Sequence, residues 1–297
     1  MRIIGKVAEL QALADCERAA GEKIALVPTM GALHAGHLSL VETARERADR
    51  VWVSIFVNPT QFESAAEASR YPRDRERDLQ CCRDAGVDVV FAPEPDEMVD
   101  PANQTWVEVG EVARPLCGRS RPGHFRAVAT IVAKLLLAAK PHLAVFGEKD
   151  YQQLAVIRRM VRDLGFDVEI VGAPTVREPD GLALSSRNVQ LHPEARRQAV
   201  ALVRALDAAE GAVASGELDA ARLLARATAE IEKAPLARID YVELRDAHSL
   251  GPVPEKLADP ALLALAVYFD SPERDAAEAV RLIDNRVLDP RRASSSG

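Results

Sequence analysis

The chain has 297 residues, 48% hydrophobic and only 4% aromatic, so it can bury a substantial core, and its length predicts two domains of ordinary size. The 45 acidic and 38 basic residues give a net charge of −7, which argues against a nucleic-acid-binding protein because such proteins need a basic face. The four cysteines lack CxxC spacing, the amino terminus lacks the uninterrupted apolar stretch of a signal peptide, and no run reaches the roughly 18 apolar residues of a membrane span. We therefore expect a soluble cytoplasmic protein with no membrane or nucleic-acid partner.

Short apolar runs alternate with longer periodic segments between residues 24 and 172, which is the pattern of βα units that build a parallel sheet. Strands are predicted at 23–29, 51–57, 87–92, 142–147 and 167–172. Helices are predicted to begin at residues 37, 73, 125 and 150, and the second and fourth of them to end at Gly86 and Gly165. We therefore expect a doubly wound, Rossmann-like α/β domain over residues 1–175.

The pattern changes after about residue 174. Long helices rich in Ala, Arg and Glu are predicted between 193 and 233, and the segments RIDYVELRD, LLALAVYFD and AVRLIDNRVL predict strands near the end. This order is typical of a smaller α+β domain, which we expect to form a lid over residues 176–290. Residues 291–297 have no apolar face to bury and are predicted to be disordered.

Two histidines, His34 and His37, bracket Gly36 where the first of these strands gives way to a helix. Ligands of open α/β sheets bind beyond the carboxyl ends of the strands, where a helix amino terminus presents N–H groups and partial positive charge to a phosphate. Gly31 and Gly36 let the backbone approach a ligand, and imidazoles can donate hydrogen bonds to phosphoryl oxygens. Two alternatives stay open. One is a metal site, which the lack of an HExxH glutamate and of zinc-like cysteine spacing disfavours, and the other is a turn that happens to contain histidine.

Polar residues also follow other predicted strands. Asn58 and Gln61 come after the second strand, either as amides that bond an uncharged polar group of a ligand or as parts of an Asn-Pro turn. Lys149 and Asp150 come after Gly147, where a lysine can neutralise phosphate charge or can simply belong to the polar start of a helix.

The segment GLALSSRN, residues 181–188, joins the two predicted domains. Its Ser185, Ser186 and Arg187 form a short polar loop that can close over phosphates, although serine-rich loops are common. Gln153 lies one turn into the helix that follows Lys149. Several polar groups at one edge of one sheet indicate a shared ligand better than a set of unrelated turns.

The motifs VPTMGALHAGH, VSIFVNPTQF, YPR, RPGHF, FGEKDYQQL, DGLALSSRN and RLIDN follow one another between about residues 24 and 286. Through them the sequence resembles the pantothenate synthetase (pantoate–β-alanine ligase) family, a branch of the HIGH-motif nucleotidyltransferase superfamily. HxGH alone leaves the whole superfamily open, whereas FGEKDYQQL together with LSSRN is specific to the family. The resemblance implies an ATP-dependent condensation of pantoate with β-alanine, giving pantothenate, AMP and pyrophosphate through a pantoyl adenylate, in a homodimer that uses Mg²⁺.

The resemblance also implies roles for individual residues. The catalytic residues it implies are His34, His37, Lys149, Ser185, Ser186 and Arg187. The ATP-binding residues it implies are Pro28, Met30, Gly147, Lys149, Asp150, Val176, Leu184, Ser185, Ser186 and Arg187. Gln61 and Gln153 are expected to hold pantoate, with Asn58 as a further substrate contact. Asp78 matches a family residue placed near magnesium, although magnesium is expected chiefly because it travels with ATP.

The sequence departs from the family pattern in two places. After NPTQF, where relatives often carry an acidic pair, Ala66 stands at one position and only Glu67 is acidic. Beside Asp78, Arg77 and Cys81 differ from the acidic or amide residues of some relatives.

Two other functions stay open at this point, namely a nucleotidyltransferase that keeps the nucleotide in its product and a catalytically silent nucleotide-binding protein. His124 in RPGHF either contacts substrate or caps the helix that follows it. Trp52 and Trp106 lie in apolar stretches and are predicted to be packing residues.

Overall fold

The computed structural model describes residues 1–62, 69, 71–272 and 279–291. The chain divides into two compact units. Unit 1 comprises Met1–Ala113, Arg121–Glu148 and Gln153–Val176, and unit 2 comprises Arg114–Ser120, Lys149–Gln152 and Arg177–Gly297. The domain boundary at 175/176 stays a prediction. Ala66, Glu67 and residues 292–297 of the predicted disordered tail lie outside the described residues.

Unit 1 is built on a parallel sheet, as the sequence predicts. Its strands are β1 (Arg2–Ile4), β2 (Ile24–Thr29), β3 (Arg50–Ile55), β4 (Val89–Phe91), β5 (Leu143–Gly147) and β6 (Glu169–Ala173). They lie in the order β1-β4-β3-β2-β5-β6, and every neighbouring pair is parallel. The chain moves outward from β2 to β3 and β4 on one side and from β5 to β6 on the other. The carboxyl ends of β2 and β5 therefore flank the topological switch point, where ligands of doubly wound sheets bind.

Seven helices lie in the described part of the chain up to residue 164. They are α1 (Val7–Ala19), α2 (Ala35–Arg45), α3 (Arg75–Asp84), α4 (Pro95–Met98), α5 (Cys117–Ser120), α6 (His124–Ala139) and α7 (Tyr151–Leu164). Single 3₁₀ turns lie at Pro59–Gln61, Glu111–Ala113 and Glu148–Asp150. Gly86 and Gly165 follow α3 and α7 with φ of +68° and +65°, so both predicted helix ends are confirmed.

Burial explains why these segments form a layered α/β unit. The first four residues of both β2 and β5 are buried, as expected for parallel strands that are covered on both faces. Eleven of the sixteen residues of α6 are buried, so this helix forms part of the core. Over the described part of the chain, no helix combines the length and the apolar content that crossing a bilayer requires.

Unit 2 has the α+β character that the sequence predicts. It contains α8 (Pro193–Gln198), α9 (Ala201–Ala214) and α10 (Ala220–Glu232), a 3₁₀ turn at Asn188–Gln190, and the strands β7 (Ala237–Asp246), β8 (Ala261–Phe269) and β9 (Val280–Leu288). The strands form an antiparallel sheet in the order β7-β8-β9. Eight of the nine residues of the central strand β8 are buried, and five of these share one apolar core with α9 and α10.

Candidate active site

The loop between β2 and α2 carries the two histidines of the HxGH motif. His34 Nδ1 accepts a hydrogen bond from the Gly36 N–H at 3.1 Å, which makes His34 the N-cap residue of α2. The His34 N–H donates to His37 Nδ1 at 3.4 Å, and the two ring centroids are 4.1 Å apart. A neutral imidazole that accepts at Nδ1 carries its proton on Nε2, so each ring in this state is an Nε2–H donor. Such donors suit the oxygens of a phosphate.

Asp78 on α3 anchors the same loop. Its side chain is buried, with the residue only 2% exposed, and its two carboxylate oxygens accept the N–H groups of Ala32 at 2.9 Å and Leu33 at 2.8 Å. Gly31 and Ala32 have φ of +83° and +52°, so two successive residues lie in the left-handed region. A Cβ at Gly31 would lie 2.7 Å from Asp78 Oδ2, which explains why only glycine fits there. The role of Asp78 near magnesium stays a prediction.

Three predicted ATP contacts lie at the carboxyl edge of neighbouring strands in unit 1. Pro28 pairs with Ser54 in the register between β2 and β3, and Met30, half-buried, follows β2 directly. Gly147 is the last residue of β5, the other neighbour of β2. A Cβ at Gly147 would meet only Leu40 Cδ2, at 4.0 Å, so close packing does not account for this glycine.

The turn after β3 places Asn58 and Gln61 differently. Asn58 is 1% exposed, and its Oδ1 accepts hydrogen bonds from the Thr60 N–H at 3.2 Å and from the Thr60 hydroxyl at 2.9 Å. Its Nδ2 donates to the Ala127 carbonyl oxygen at 3.5 Å. Asn58 thus stabilises the turn from within, whereas Gln61 is half-buried at the end of that turn.

Two adjacent glutamines on α7 have separate roles. Gln152 is buried, accepts the Cys117 N–H at 3.0 Å and donates to the Pro115 carbonyl oxygen at 2.7 Å. Gln153 is half-buried, and its amide makes no hydrogen bond to any residue within 1–62, 69, 71–272 and 279–291. Of the two, Gln153 therefore keeps a side chain that a substrate can engage.

In unit 2, Lys149 is positioned through its backbone. Asn285 of β9 donates from Nδ2 to the Lys149 carbonyl oxygen at 2.9 Å. The Lys149 ammonium has no carboxylate partner among the residues for which coordinates are described, and Asp150, the next residue, is exposed. The lysine is thus held by its main chain, while its side chain makes no ion pair with the described residues.

The polar loop of residues 184–187 is also held through its backbone. Buried Asn188 donates from Nδ2 to the Ala183 carbonyl oxygen at 3.1 Å, and the Arg187 N–H donates to Ser185 Oγ at 3.2 Å. The Arg187 guanidinium bonds to none of the described residues. The remaining predicted ATP contacts are all half-buried: Val176, Leu184 and Ser186.

The RLIDN motif supplies two positioning residues that the sequence does not identify as site residues. The Asp284 side chain is 0% exposed, and Arg177 donates to both of its oxygens, at 2.7 and 3.0 Å. Arg177 also donates to the Gly181 carbonyl oxygen at 3.0 Å, which fixes the start of the 181–188 segment. Asn285, the next residue, holds Lys149 as described above. The available signal was that Asp284 and Asn285 directly follow two apolar residues, Leu282 and Ile283, within a predicted strand.

Among the residues that the structure describes, no third side chain is placed to complete a metal site with the histidine pair. No group of three or more His, Cys, Asp or Glu side chains is placed to hold a metal ion, as far as the described ranges extend. Two imidazoles that each accept a backbone N–H at Nδ1 are better suited to donate to an anion than to bind a cation there.

A parallel doubly wound sheet with an HxGH loop at its switch point defines an α/β protein whose site suits a phosphate-bearing ligand. The family model for pantoate–β-alanine ligase matches residues 2–287. The chain is 52% identical to a pantothenate synthetase of Geobacter sulfurreducens, over 97% of this chain and 99% of that protein. The chain therefore belongs to the pantoate–β-alanine ligase family.

Solved structures agree with this assignment. A pantothenate synthetase from Thermus thermophilus superposes with a TM-score of 0.88 at 46% identity, over 98% of this chain and 100% of that one. A pantoate–β-alanine ligase from Francisella tularensis, complexed with β-γ ATP and β-alanine, superposes with a TM-score of 0.76 at 33% identity, over 97% and 98% of the two chains.

Proposed function

We propose that the chain makes pantothenate in two chemical steps, through a pantoyl adenylate, and releases pyrophosphate and then AMP. The overall reaction, the ATP-dependent condensation of pantoate with β-alanine, follows from membership of the family. The observation that carries the two-step route is the HxGH loop at the carboxyl end of β2, whose imidazoles accept at Nδ1 and so donate from Nε2. An amide bond cannot form at neutral pH by expelling oxide from a carboxylate, and an adenylate supplies a better leaving group.

In the first step a carboxylate oxygen of pantoate attacks the α-phosphorus of ATP. The bond from that phosphorus to the β-phosphate bridging oxygen breaks, and pyrophosphate leaves with the electron pair. Because negative charge grows on phosphoryl oxygens, donors and cations placed before the reaction lower the barrier. We assign His34 and His37 to the ATP phosphates and Lys149 to the charge of the transition state. The loop side chains assigned to the triphosphate are Ser185, Ser186 and Arg187.

The remaining contacts hold the two substrates of this step. We assign to ATP the backbone and apolar groups at the strand ends and in the loops, together with one exposed carboxylate: Pro28, Met30, Gly147, Asp150, Val176 and Leu184. The amides of Gln61 and Gln153 are assigned to pantoate, since amides bond hydroxyl groups without adding charge. Asn58 contributes to the pantoate site through the turn that it stabilises.

In the second step the neutral amine of β-alanine attacks the carbonyl carbon of the adenylate. The C–N bond forms, the bond from that carbon to the phosphate oxygen breaks, and AMP leaves with the electron pair while the amine proton passes to solvent. Mg²⁺ is proposed to arrive bound to the phosphate oxygens of ATP, where it neutralises charge. Both carboxylate oxygens of Asp78 already accept backbone N–H groups, which is consistent with magnesium that ATP carries into the site.

Product analysis tests the proposal. Purified protein is incubated with ATP, pantoate and β-alanine, and the nucleotide products are separated. We expect AMP release that requires both acids, and exchange of labelled pyrophosphate into ATP that requires pantoate but not β-alanine. Formation of ADP would contradict the adenylate route, and accumulation of a stable nucleotide-containing product would favour a nucleotidyltransferase.

We also propose a homodimer in the cytoplasm. The support for the dimer is the resemblance of the sequence to the family. Light scattering coupled to size-exclusion chromatography should give twice the chain mass, and a monomer mass at working concentration would contradict the dimer. Cell fractionation should recover the protein with cytoplasmic markers.

A further inference from the structure

The polar loop of residues 184–187 starts from a tight turn in unit 2. An isolated antiparallel bridge joins the two ends of residues 177–183, which we call the hairpin. Within it the Glu178 N–H donates to the Leu182 carbonyl oxygen at 2.8 Å, and the Gly181 N–H donates to the Glu178 carbonyl oxygen at 2.8 Å. The hairpin is therefore the base that carries the polar loop.

Asn188 connects the far end of the polar loop with this base. Its Nδ2 donates not only to the Ala183 carbonyl oxygen but also to Glu178 Oε1, at 2.6 Å, and its N–H donates to the Ser185 carbonyl oxygen at 3.0 Å. The residues before and after the loop are thus joined through one buried amide. Because the Glu178 carboxylate orients that amide, the path of the loop depends on where this carboxylate lies.

Arg196 of α8 holds the two carboxylates of the hairpin together. Its Nη2 donates to Glu178 Oε2 at 2.7 Å, and its Nη1 donates to Asp180 Oδ2 at 2.7 Å. Asp180 Oδ1 accepts the Leu182 N–H at 3.2 Å, so this carboxylate also bonds the hairpin backbone. A planar guanidinium fixes the directions of its N–H groups, and it therefore sets the positions of both carboxylates.

Arg196 comes from an element that is itself fixed. Ala195 and Ala199 lie on either side of it and are 1% and 0% exposed in the apolar core of unit 2. Gln198 of the same helix accepts the Leu236 N–H at 2.9 Å. Only 26% of the Arg196 side chain is exposed, so solvent screens its ion pairs less than it screens pairs on the open surface. The core of unit 2 thus determines the position of the hairpin through Arg196.

The first step of the reaction depends on where the polar loop lies. The loop side chains are assigned to the ATP triphosphate, and donors or cations lower a barrier only when they are placed before charge develops. A misplacement of about 1 Å can cost about a hundredfold in rate. Arg196 directs its guanidinium to Glu178 and Asp180, so it can act on ATP through the loop.

We propose that Arg196 is a positioning residue of the adenylation step, which sets, through Glu178 and Asn188, the place of the 184–187 loop at the ATP triphosphate. This inference rests on the proposed function, because that function assigns the loop to the triphosphate.

The Michaelis constants of the full-length enzyme test the proposal. For Arg196→Met we expect the KM for ATP in pantoate-dependent pyrophosphate exchange to rise at least tenfold, which corresponds to about 1.4 kcal/mol. The KM values for pantoate and for β-alanine should stay within about twofold. A general loss of folded protein lowers the maximal rate and leaves KM unchanged, so this pattern distinguishes positioning from stability. Arg196→Lys should recover part of the loss, because an ammonium restores the charge without the planar fork.

Arg197→Met is the matched control. Arg197 is an exposed arginine on the same helix, and among the described residues it pairs only with Glu194, which also belongs to α8. Its removal changes the net charge as Arg196→Met does but leaves the hairpin contacts in place. All three KM values should therefore stay within about twofold of wild type.

A double variant tests whether Arg196 acts through the polar loop. Arg187→Met should raise the KM for ATP because it removes a cation assigned to the triphosphate. If Arg196 positions that cation, the KM for ATP of the double variant should fall at least about threefold short of the product of the two single effects. The changes in the free energy of unfolding should add, since Arg187 makes no ion pair with the described residues.

Four results would overturn the inference. They are a KM for ATP within twofold of wild type in Arg196→Met, an equal rise in Arg197→Met, effects of Arg196 and Arg187 that multiply fully, and an unchanged KM for ATP in Arg187→Met, which would remove the loop from the triphosphate.

A milder variant covers the case in which Arg196→Met does not fold. Glu178→Gln keeps the size of the side chain but removes its charge, so the KM for ATP should rise at least about threefold, and a value within the error of wild type would equally overturn the inference. Failure of the proposed function looks different, since the wild-type enzyme itself would then form no AMP.

Discussion

Replacing Asp78 by alanine should release the loop that carries His34 and His37. The change removes the acceptors of the Ala32 and Leu33 N–H groups at 2.9 and 2.8 Å. Each hydrogen bond to a charged acceptor contributes about 1.5–3 kcal/mol, or about 3–6 kcal/mol for the pair. Part of this is offset because a carboxylate is no longer buried, so we expect a net loss of about 3 kcal/mol.

The loss should be visible in both stability and activity. Urea denaturation should show the free energy of unfolding of Asp78→Ala lowered by about 3 kcal/mol, and pantoate-dependent pyrophosphate exchange should fall by about a hundredfold. Asp74→Ala on the same helix is the control. The exposed Asp74 carboxylate accepts only the Arg77 N–H, at 3.0 Å, among the described residues, so its loss should cost about 1 kcal/mol and leave exchange nearly unchanged.

Two outcomes would refute this reasoning. A variant Asp78→Ala with wild-type stability and exchange would show that the loop holds its shape without the carboxylate. Recovery of activity at raised Mg²⁺ concentration would instead identify Asp78 as a metal ligand, whereas a loop anchor predicts no such rescue.

Three further predictions follow from single side chains. Lys149→Ala should lower kcat by a hundredfold or more, about 3 kcal/mol, with unchanged unfolding, and full activity would remove Lys149 from the mechanism. Burial raises the pKa of the Cys82 thiol to about 12, so iodoacetamide at about pH 8.5 should label exposed Cys16 but not Cys82 in the native protein, as peptide mass mapping can check. Burial also lowers the pKa of His142, whose Nδ1 accepts the Ile24 N–H at 3.0 Å. The unfolded chain therefore binds a proton more readily than the folded one, so the free energy of unfolding should fall as pH drops below about 6.5, and a His142→Gln variant that kept the full pH dependence would contradict this.

The parallel sheet could be predicted because strands buried on both faces read as unbroken apolar runs. The same signal missed β1 and α1. Only Ile4 of the three residues of β1 is buried, and α1 buries just Leu10 and Ala14, so neither element has a clear apolar pattern. Helix α2 begins two residues before the predicted start, because the imidazole of His34 caps it, a role more often filled by Ser, Thr, Asp or Asn.

Site residues could be predicted from the sequence where they follow the ends of strands. Contacts between segments that are far apart in the sequence could not be predicted. Lys149 and Gly147 could be placed from their position after an apolar run. The Asp78 carboxylate accepts hydrogen bonds from a loop more than forty residues earlier in the chain, and the spacing of residues around Asp78 does not predict these contacts. The same holds for Arg126 over Trp106, a pair that comes together only when α6 packs in unit 1. Trp106 is 41% exposed, so its prediction as a packing residue is wrong.

Pantoate labelled with ¹⁸O in its carboxylate tests the adenylate route most directly. One carboxylate oxygen becomes the bridge to the α-phosphorus and leaves with AMP when the amine attacks carbon. Mass spectrometry of the products should therefore find one labelled oxygen in the phosphate of each AMP and one in the pantothenate amide. Label in orthophosphate together with ADP, or no label in any phosphate, would contradict the account.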